Sequence, residues 1–371
     1  MNGIRETEDV FSPNKLFYHM DRMAQWWRGE NVYPINVELS PTTVCNHYCT
    51  WCMHGEYFGS HKGDNKALKL YPDASMMRFD FYRKLVDELA ELGVKSMTFS
   101  GSGEPFVNPE INDFITYTKA KGIDVAIITN GSIINEERAK VVVKNVTWLR
   151  VSLNAGTAET RARIHRTSIE DFDKTLANMK RLAEKKKEFG SKTQLGGQIV
   201  ICPENWEEVY LATEKVKATG FDYMQIKPVI MHPMSKDRQY EREFFLRAIE
   251  LIRTTKELED DRFKVFIKWD QFNGILDANY EQDRYEKCLA TFFPVIEANK
   301  LVYYCSQTRG LPQFAIGDLS KNTFKEIWES AHRQRVIESI DIKKCQPLCR
   351  CHPINKTLWA LKHPNNNPNF V

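Results

Sequence analysis

Six short apolar runs, each followed by a stretch of helical periodicity, constrain the fold of this chain more than any other feature. The runs are INVELS (35–40), KSMTFSG (95–101), DVAIITNG (124–131), WLRVSLNA (148–155), GGQIVIC (196–202) and YMQIKPV (223–229). Amphipathic patterns over 79–92, 109–121, 135–144, 157–189 and 205–219 predict the helices between them. Strand-then-helix units of roughly 25 to 35 residues predict an α/β fold: a parallel sheet with helices outside, curled into a partial barrel or laid open. Either form carries its site where the strands end.

Polar residues stand at those ends: Ser100, Thr129, Asn130, Ser152, Asn154, Gln198 and Lys227. A buried polar group without a partner costs about 1–3 kcal/mol, so polar residues inside apolar strands point to a ligand-facing edge. From about residue 237 the pattern changes to a long charged helix (238–258), a strand in RFKVFIKW, a hairpin in FPVIEANKLVYYC with its turn near Asn299, a helix at 323–339 and a cysteine-rich tail. The expected organisation is a helical extension over 1–34, the repeating units over 35–235, and a linker helix with a small α+β domain over 236–371. In the extension, Leu16, Met20, Met23 and Trp27 recur at helical spacing and predict a packing face.

Composition excludes some function classes. A net charge of +3 lacks the basic excess of a nucleic-acid binder. The N-terminal MNGIRETEDVFSPNK has charges where a signal peptide needs an apolar core, and no uncharged run approaches the roughly 20 residues of a spanning helix. The expected location is the cytoplasm, with neither nucleic acid nor membrane as a partner. Nine cysteines in that reducing compartment point to metal or redox chemistry rather than disulfides.

Eight of the nine lie in two groups, 45–52 and 288–351, and Cys202 stands alone. In TTVCNHYCTWCMHG the first group places Cys45, Cys49 and Cys52 close together with no fourth cysteine in reach. Three thiolates and one vacant position suit a cubic iron–sulfur cluster whose fourth iron takes an outside ligand. Zinc would need a fourth donor, for which His47 and His54 are near enough, so spacing alone leaves zinc open.

The CxxxCxxC spacing, with Trp51 before the last cysteine and placed after the first strand of a β/α series, closely resembles the radical S-adenosylmethionine (SAM) superfamily over residues 35–230. Other segments agree. SGSGEP (100–105) resembles the glycine-rich motif whose backbone binds the methionine amino group of SAM, which implies cofactor contacts at Gly101, Ser102, Gly103 and Glu104. ITNGS (128–132) and VSLNAGTAET (151–160) resemble the elements after strands three and four, which implies roles for Thr129, Asn130, Ser152 and Asn154; Gln198 and Trp51 complete the set. Many relatives have Gly where Ser102 stands and Asp where Asn154 stands. The resemblance implies a partial (β/α)6 TIM-like barrel, a SAM-binding 4Fe–4S cluster, SAM itself, and a 5′-deoxyadenosyl radical that removes hydrogen from an unactivated carbon. It also implies a flavodoxin- or ferredoxin-type electron donor.

The second group is Cys288, Cys305, Cys345, Cys349 and Cys351. With the FAIGDLSKNTFKEIWES segment it resembles a SPASM/twitch extension, which implies one auxiliary 4Fe–4S cluster on Cys288, Cys305, Cys345 and either Cys349 or Cys351, with Cys349 preferred. Lys300 occupies a slot where the family usually has glycine, beside Asn299, which tolerates a left-handed turn. A structural zinc ribbon is the other reading of this group. A fully ligated auxiliary cluster would serve as an electron acceptor, so the expected reaction is dehydrogenation of a small sugar, cyclitol or nucleotide-like substrate. The short N-terminal extension, with no leader-binding module, supports that expectation over a peptide-modifying maturase. An epimerase with Cys202 as hydrogen donor, and a non-catalytic iron–sulfur scaffold, are further alternatives. Lys227 could hold a phosphate or carboxylate, and His54, Glu56 and His232 are candidate bases.

Overall fold

The computed structural model describes residues 13–52, 76–230, 242–276, 285–289, 292–345, 349 and 351–364. His54, Glu56 and His232 lie outside them. Six parallel strands, β1 (Asn36–Leu39), β2 (Ser96–Phe99), β3 (Asp124–Thr129), β4 (Val146–Ser152), β5 (Gln194–Ile201) and β6 (Tyr223–Pro228), neighbour one another in chain order. Several strands are buried on both faces over most of their length. That explains near-continuous apolar runs such as Val125–Ile127 in place of a polar–apolar alternation.

Helix α1 (Met20–Trp27) precedes the sheet, and α2 (Phe79–Glu91), α3 (Ile111–Ala120), α4 (Glu136–Asn145), the pair α5 (Ala158–His165) and α6 (Asp171–Glu188), and α7 (Val209–Ala218) link the six strands. Each turns one stripe inward; in α2 this stripe is Tyr82, Leu85, Val86 and Leu89. Asn135 starts α4 by accepting a hydrogen bond from the Arg138 backbone at 2.9 Å.

The expected boundary near 235 does not interrupt the sheet. After α8 (Arg242–Thr254), β7 (Lys264–Ile267) pairs in parallel with β6, and α9 (Trp269–Leu276) follows. Strands β8 (Val295–Ile296), β9 (Leu301–Tyr303) and β10 (Ala315–Asp318) then extend the other edge: β8 lies parallel to β1, and β9 and β10 add antiparallel. The ten strands run β10-β9-β8-β1-β2-β3-β4-β5-β6-β7, an open sheet whose terminal strands β10 and β7 are not paired to each other. The later chain thus covers both edges that the six units would leave as bare rows of N–H and C=O groups.

Three local expectations change. The helix expected over 323–339 is two, α10 (Phe324–Glu329) and α11 (Ala331–Glu338), because Ser330 is extended and caps α11 by accepting from Arg333 N at 3.1 Å. In the N-terminal extension, residues 13–19 are a 3-10 turn, and the change of period rotates the buried face to Leu16, Met23 and Trp26; Met20 and Trp27 stay 61% and 52% exposed. That face packs on Phe292 and on Leu358 of the last helix, α12 (His352–Lys362). At the hairpin, Lys300 itself takes the left-handed conformation, φ 70°, in the slot where glycine was expected. Among the described residues no helix is long and apolar enough to cross a membrane.

Candidate active site

The strand ends of β1 to β6 open on one cavity of about 470 Å³. Its wall includes Cys45, Cys49, Cys52 and Trp51 from the loop after β1, Gly101, Gly103 and Glu104 after β2, and Thr129 and Asn130 after β3. Ser152, Asn154, Gln198 and Lys227 come from β4 to β6, and Gln271, Gln307 and Cys349 from the later chain.

The cysteine loop is fastened to the end of α5. Tyr48 and Thr50 donate backbone N–H groups to the carbonyls of His165 and Ile164, both at 2.9 Å, and so occupy acceptors that a helix C-terminus leaves open. Burial pushes the Cys45 thiol up to about 12, with Glu104 adding to it, and the Cys49 thiol well above its usual value, with Cys52 and Cys45 adding to that. Cys45 and Cys49, which resist ionising alone, stand with Cys52 as a donor set suited to a cation that takes up their charge.

Two glycines let the segment after β2 approach this loop. A Cβ on Gly101, φ +118°, would stand 1.8 Å from Ser40 Oγ, and one on Gly103 would stand 2.4 Å from the Val44 carbonyl. Ser102 turns away from the cavity: it is buried, and its hydroxyl donates to Glu297 Oε2 at 2.5 Å. Glu104 faces the cavity but is held by protein donors, accepting from Thr129 Oγ1 at 2.6 Å, Asn130 N at 2.7 Å and Phe106 N at 3.2 Å. Asn130 spends its side chain on Asn46 and Ser132. Asn154 sits at φ 59°, which asparagine tolerates, and faces Val200 N and His165. Gln198 Oε1 and Gln271 Oε1 are buried without a hydrogen-bond partner among the described residues, so they present acceptors to a ligand with O–H or N–H groups.

Two buried charge networks behind the wall have no clear signature in the sequence. Arg161 donates to Asp171 Oδ2 at 2.8 Å, to the Leu153 and Asn130 carbonyls at 2.8 Å and to Thr175 Oγ1 at 2.9 Å, tying the ends of β3 and β4 to α6. Burial alone would raise the Asp171 carboxyl, but the His47 hydrogen bond and Arg161 outweigh it and hold it below the usual range. Burial, then Arg161 and His47, push the His165 ring well below its ordinary value, so it is neutral. The second network joins Arg309 to Glu38 and, at 2.8 Å, to Glu297, beneath Ser40, Ser100 and Ser102. Arg161 and His165, at i and i+4 on α5, and Glu38 inside β1 are the residues whose polarity in an apolar setting could have pointed to these networks.

Cys202 is fully buried in the core and is absent from the cavity wall. In the C-terminal group, Asn355 lies one turn after Cys351 and donates to Cys288 Sγ at 3.5 Å. Buried Tyr304 feels Cys288, Cys351 and Cys305 together, Tyr285 feels Cys349, Cys288 and Cys351, and Cys305 feels Cys349. Cys288 and Cys351 thus act on both tyrosines, Cys305 on Tyr304, and Cys349 on Tyr285 and on Cys305. The Cys345 thiol donates to the Asp341 carbonyl at 3.8 Å, at the end of a short 3-10 turn.

Residues 39–216 match the family model of the Radical SAM superfamily. That stretch of the chain is a radical SAM domain. It is 25% identical over 332 residues to the cysteine-type anaerobic sulfatase-maturating enzyme of Clostridium novyi, covering 82% of this chain and 84% of that protein. It is 23% identical over 194 residues to the tungsten-containing aldehyde ferredoxin oxidoreductase cofactor-modifying protein of Pyrococcus furiosus, covering 52% of this chain and 51% of that one. Among solved structures, Streptococcus suis SuiB bound to SAM superposes with a TM-score of 0.63 at 14% identity, covering 87% of this chain and 72% of that one. The SAM-bound anSMEcpe superposes with a TM-score of 0.59 at 17% identity, covering 91% and 100%. These two likenesses carry the fold. As a radical SAM enzyme the chain works with SAM and a 4Fe–4S cluster, and its C-terminal cysteines fit an auxiliary cluster. The cavity fits this chemistry: three clustered thiols, glycines that expose backbone, and the bare carboxamide oxygen of Gln198.

Proposed function

We propose that this radical SAM enzyme removes two hydrogens from a carbon–heteroatom position, such as a serine or cysteine side chain of a polypeptide. In this reading Cys45, Cys49 and Cys52 hold the SAM-binding cluster, and Cys288, Cys305, Cys349 and Cys351 hold the auxiliary cluster. When bound, the first cluster with SAM supplies a 5′-deoxyadenosyl radical, and the auxiliary cluster supplies an electron acceptor.

The observation that carries the reading is Cys349, which lines the same cavity as the first three cysteines. An acceptor beside the substrate favours dehydrogenation. Burial of Cys202 away from the cavity wall argues against returning a hydrogen atom to the substrate, as an epimerase would. The chain's own residues prepare the site: Gly101 and Gly103 bring backbone groups to SAM, Gln198 accepts from a hydroxyl of the cofactor, and Lys227 offers a cation at the mouth of β6. A polypeptide substrate is supported by the Clostridium novyi relative, named for maturing a sulfatase over most of this chain's length, and by SuiB, crystallised with its precursor peptide SuiA. Lys227 on the wall favours a second reading, a small phosphorylated or carboxylated substrate. A flavodoxin or ferredoxin is the reductant expected in either case.

Anaerobic reconstitution, dithionite and SAM test the proposal, with deuterium transfer into 5′-deoxyadenosine as the readout. Peptides deuterated at the serine or cysteine β-carbon are expected to pass label and to lose two hydrogens. Transfer from phosphorylated sugars or nucleotides alone would replace the polypeptide reading with the second one. No release of 5′-deoxyadenosine with any substrate would overturn the catalytic reading.

A further inference from the structure

Behind Cys49 lies a buried chain of side chains whose hydrogen bonds leave one protonation pattern. Val200 donates its N–H to Asn154 Oδ1 at 2.9 Å, so the Asn154 amide nitrogen faces His165, 3.2 Å from Nε2. Nε2 must therefore accept. At the other end, the Asp171 carboxylate, held by Arg161, lies 3.3 Å from His47 Nε2, so His47 carries its proton there and presents a bare Nδ1. Between these ends, His165 Nδ1 stands 3.0 Å from His47 Nδ1 and 3.5 Å from Cys49 Sγ. A neutral His165 protonated on Nδ1 satisfies every contact, and any other state sets two donors or two acceptors face to face.

We propose that His165 is a positioning residue whose Nδ1–H donates to the Cys49 sulfur and raises the reduction potential of the cluster on Cys45, Cys49 and Cys52. It rests on the assignment of those cysteines to the cluster. A donor at a ligand sulfur stabilises negative charge there and favours the reduced cluster, which carries one more electron. The same N–H is shared with His47, so His47 tempers the bond. The ligand atoms of His47, Cys49 and His165 also lie within 4.8 Å of one another, close enough for a metal ion. Such an ion would need both Nδ1 atoms bare, which would turn His165 Nε2–H against the Asn154 amide.

The test is an electron paramagnetic resonance redox titration of the reconstituted full chain, following the signal that changes on adding SAM. His165→Leu is expected to lower its midpoint potential and to remove an exchangeable proton coupling in electron–nuclear double resonance. His165→Asn, whose amide nitrogen can occupy the place of Nδ1, is expected to restore part of both. His47→Leu leaves the N–H to Cys49 alone and is expected to shift the potential the opposite way, which also serves if the leucine at 165 does not fold. Equal potentials and couplings across these variants at equal iron content would overturn the inference. So would zinc held by the parent and lost from both leucine variants. A parent with no SAM-sensitive cluster signal would instead overturn the assignment on which the inference rests.

Discussion

Gly101 meets two constraints at once: a φ of +118° and a Cβ that would overlap Ser40 Oγ. Gly101→Ala is expected to destabilise the chain by about 2 kcal/mol or more and to weaken SAM binding, measured by urea unfolding and anaerobic calorimetry. Gly122 is the control, since it too is left-handed, φ +77°, but a Cβ there meets nothing within 4 Å. Gly122→Ala is expected to cost about 1 kcal/mol and to leave SAM binding unchanged. Gly101, the cysteines and the strand-end positions were legible because each is a residue type the backbone geometry or the chemistry demands. The partners were not. Ser102 hands its hydroxyl to Glu297 and Asn154 hands its amide to His165, and a lone sequence holds no trace of which distant group a short polar side chain will meet.

Helix α5 is only eight residues long, yet it carries both Arg161 and His165 and depends on neighbours at each end. Its C-terminal carbonyls are taken by the cysteine loop. At its start, the Glu208 carboxylate accepts from Gly156 N at 2.8 Å, Thr157 N at 3.1 Å, Thr157 Oγ1 at 2.8 Å and Thr160 Oγ1 at 2.5 Å. Glu208→Ala removes all four acceptor contacts from outside the cavity. The expected result is a loss of about 2–3 kcal/mol in thermal unfolding and less iron retained per chain after reconstitution. Glu208→Gln, which keeps an acceptor but loses the charge, is expected to fall between. The strand–helix alternation was legible over the six units because their apolar runs and helical stripes are long. The two-residue β8 and three-residue β9 carry too little pattern to say which edge they join.

Across the whole molecule, the early and late parts of the chain meet at three fully buried charges. Glu38 lies in β1, Glu297 in the turn after β8, and Arg309 beyond Cys305. Arg309 stays charged because the pull of Glu38 and Glu297 outweighs the burial that opposes it, while burial raises Glu297 despite Arg309, Ser102 and Ser40. Removing the guanidinium leaves two buried carboxylates facing each other, which costs about 3–5 kcal/mol. Arg309→Met is therefore expected to lower the urea midpoint strongly. It is also expected to weaken SAM binding, because Ser102, between the two glycines of the cavity wall, hangs from Glu297. Adding Glu297→Gln removes one of the stranded charges, so the double variant is expected to be more stable than Arg309→Met alone. A double variant that is less stable, by the sum of its two single changes, would mean that the three residues do not act as a unit. The fastening between the sheet's first strand and the segment bearing the later cysteines would then lie in the β1–β8 pairing and not in these charges.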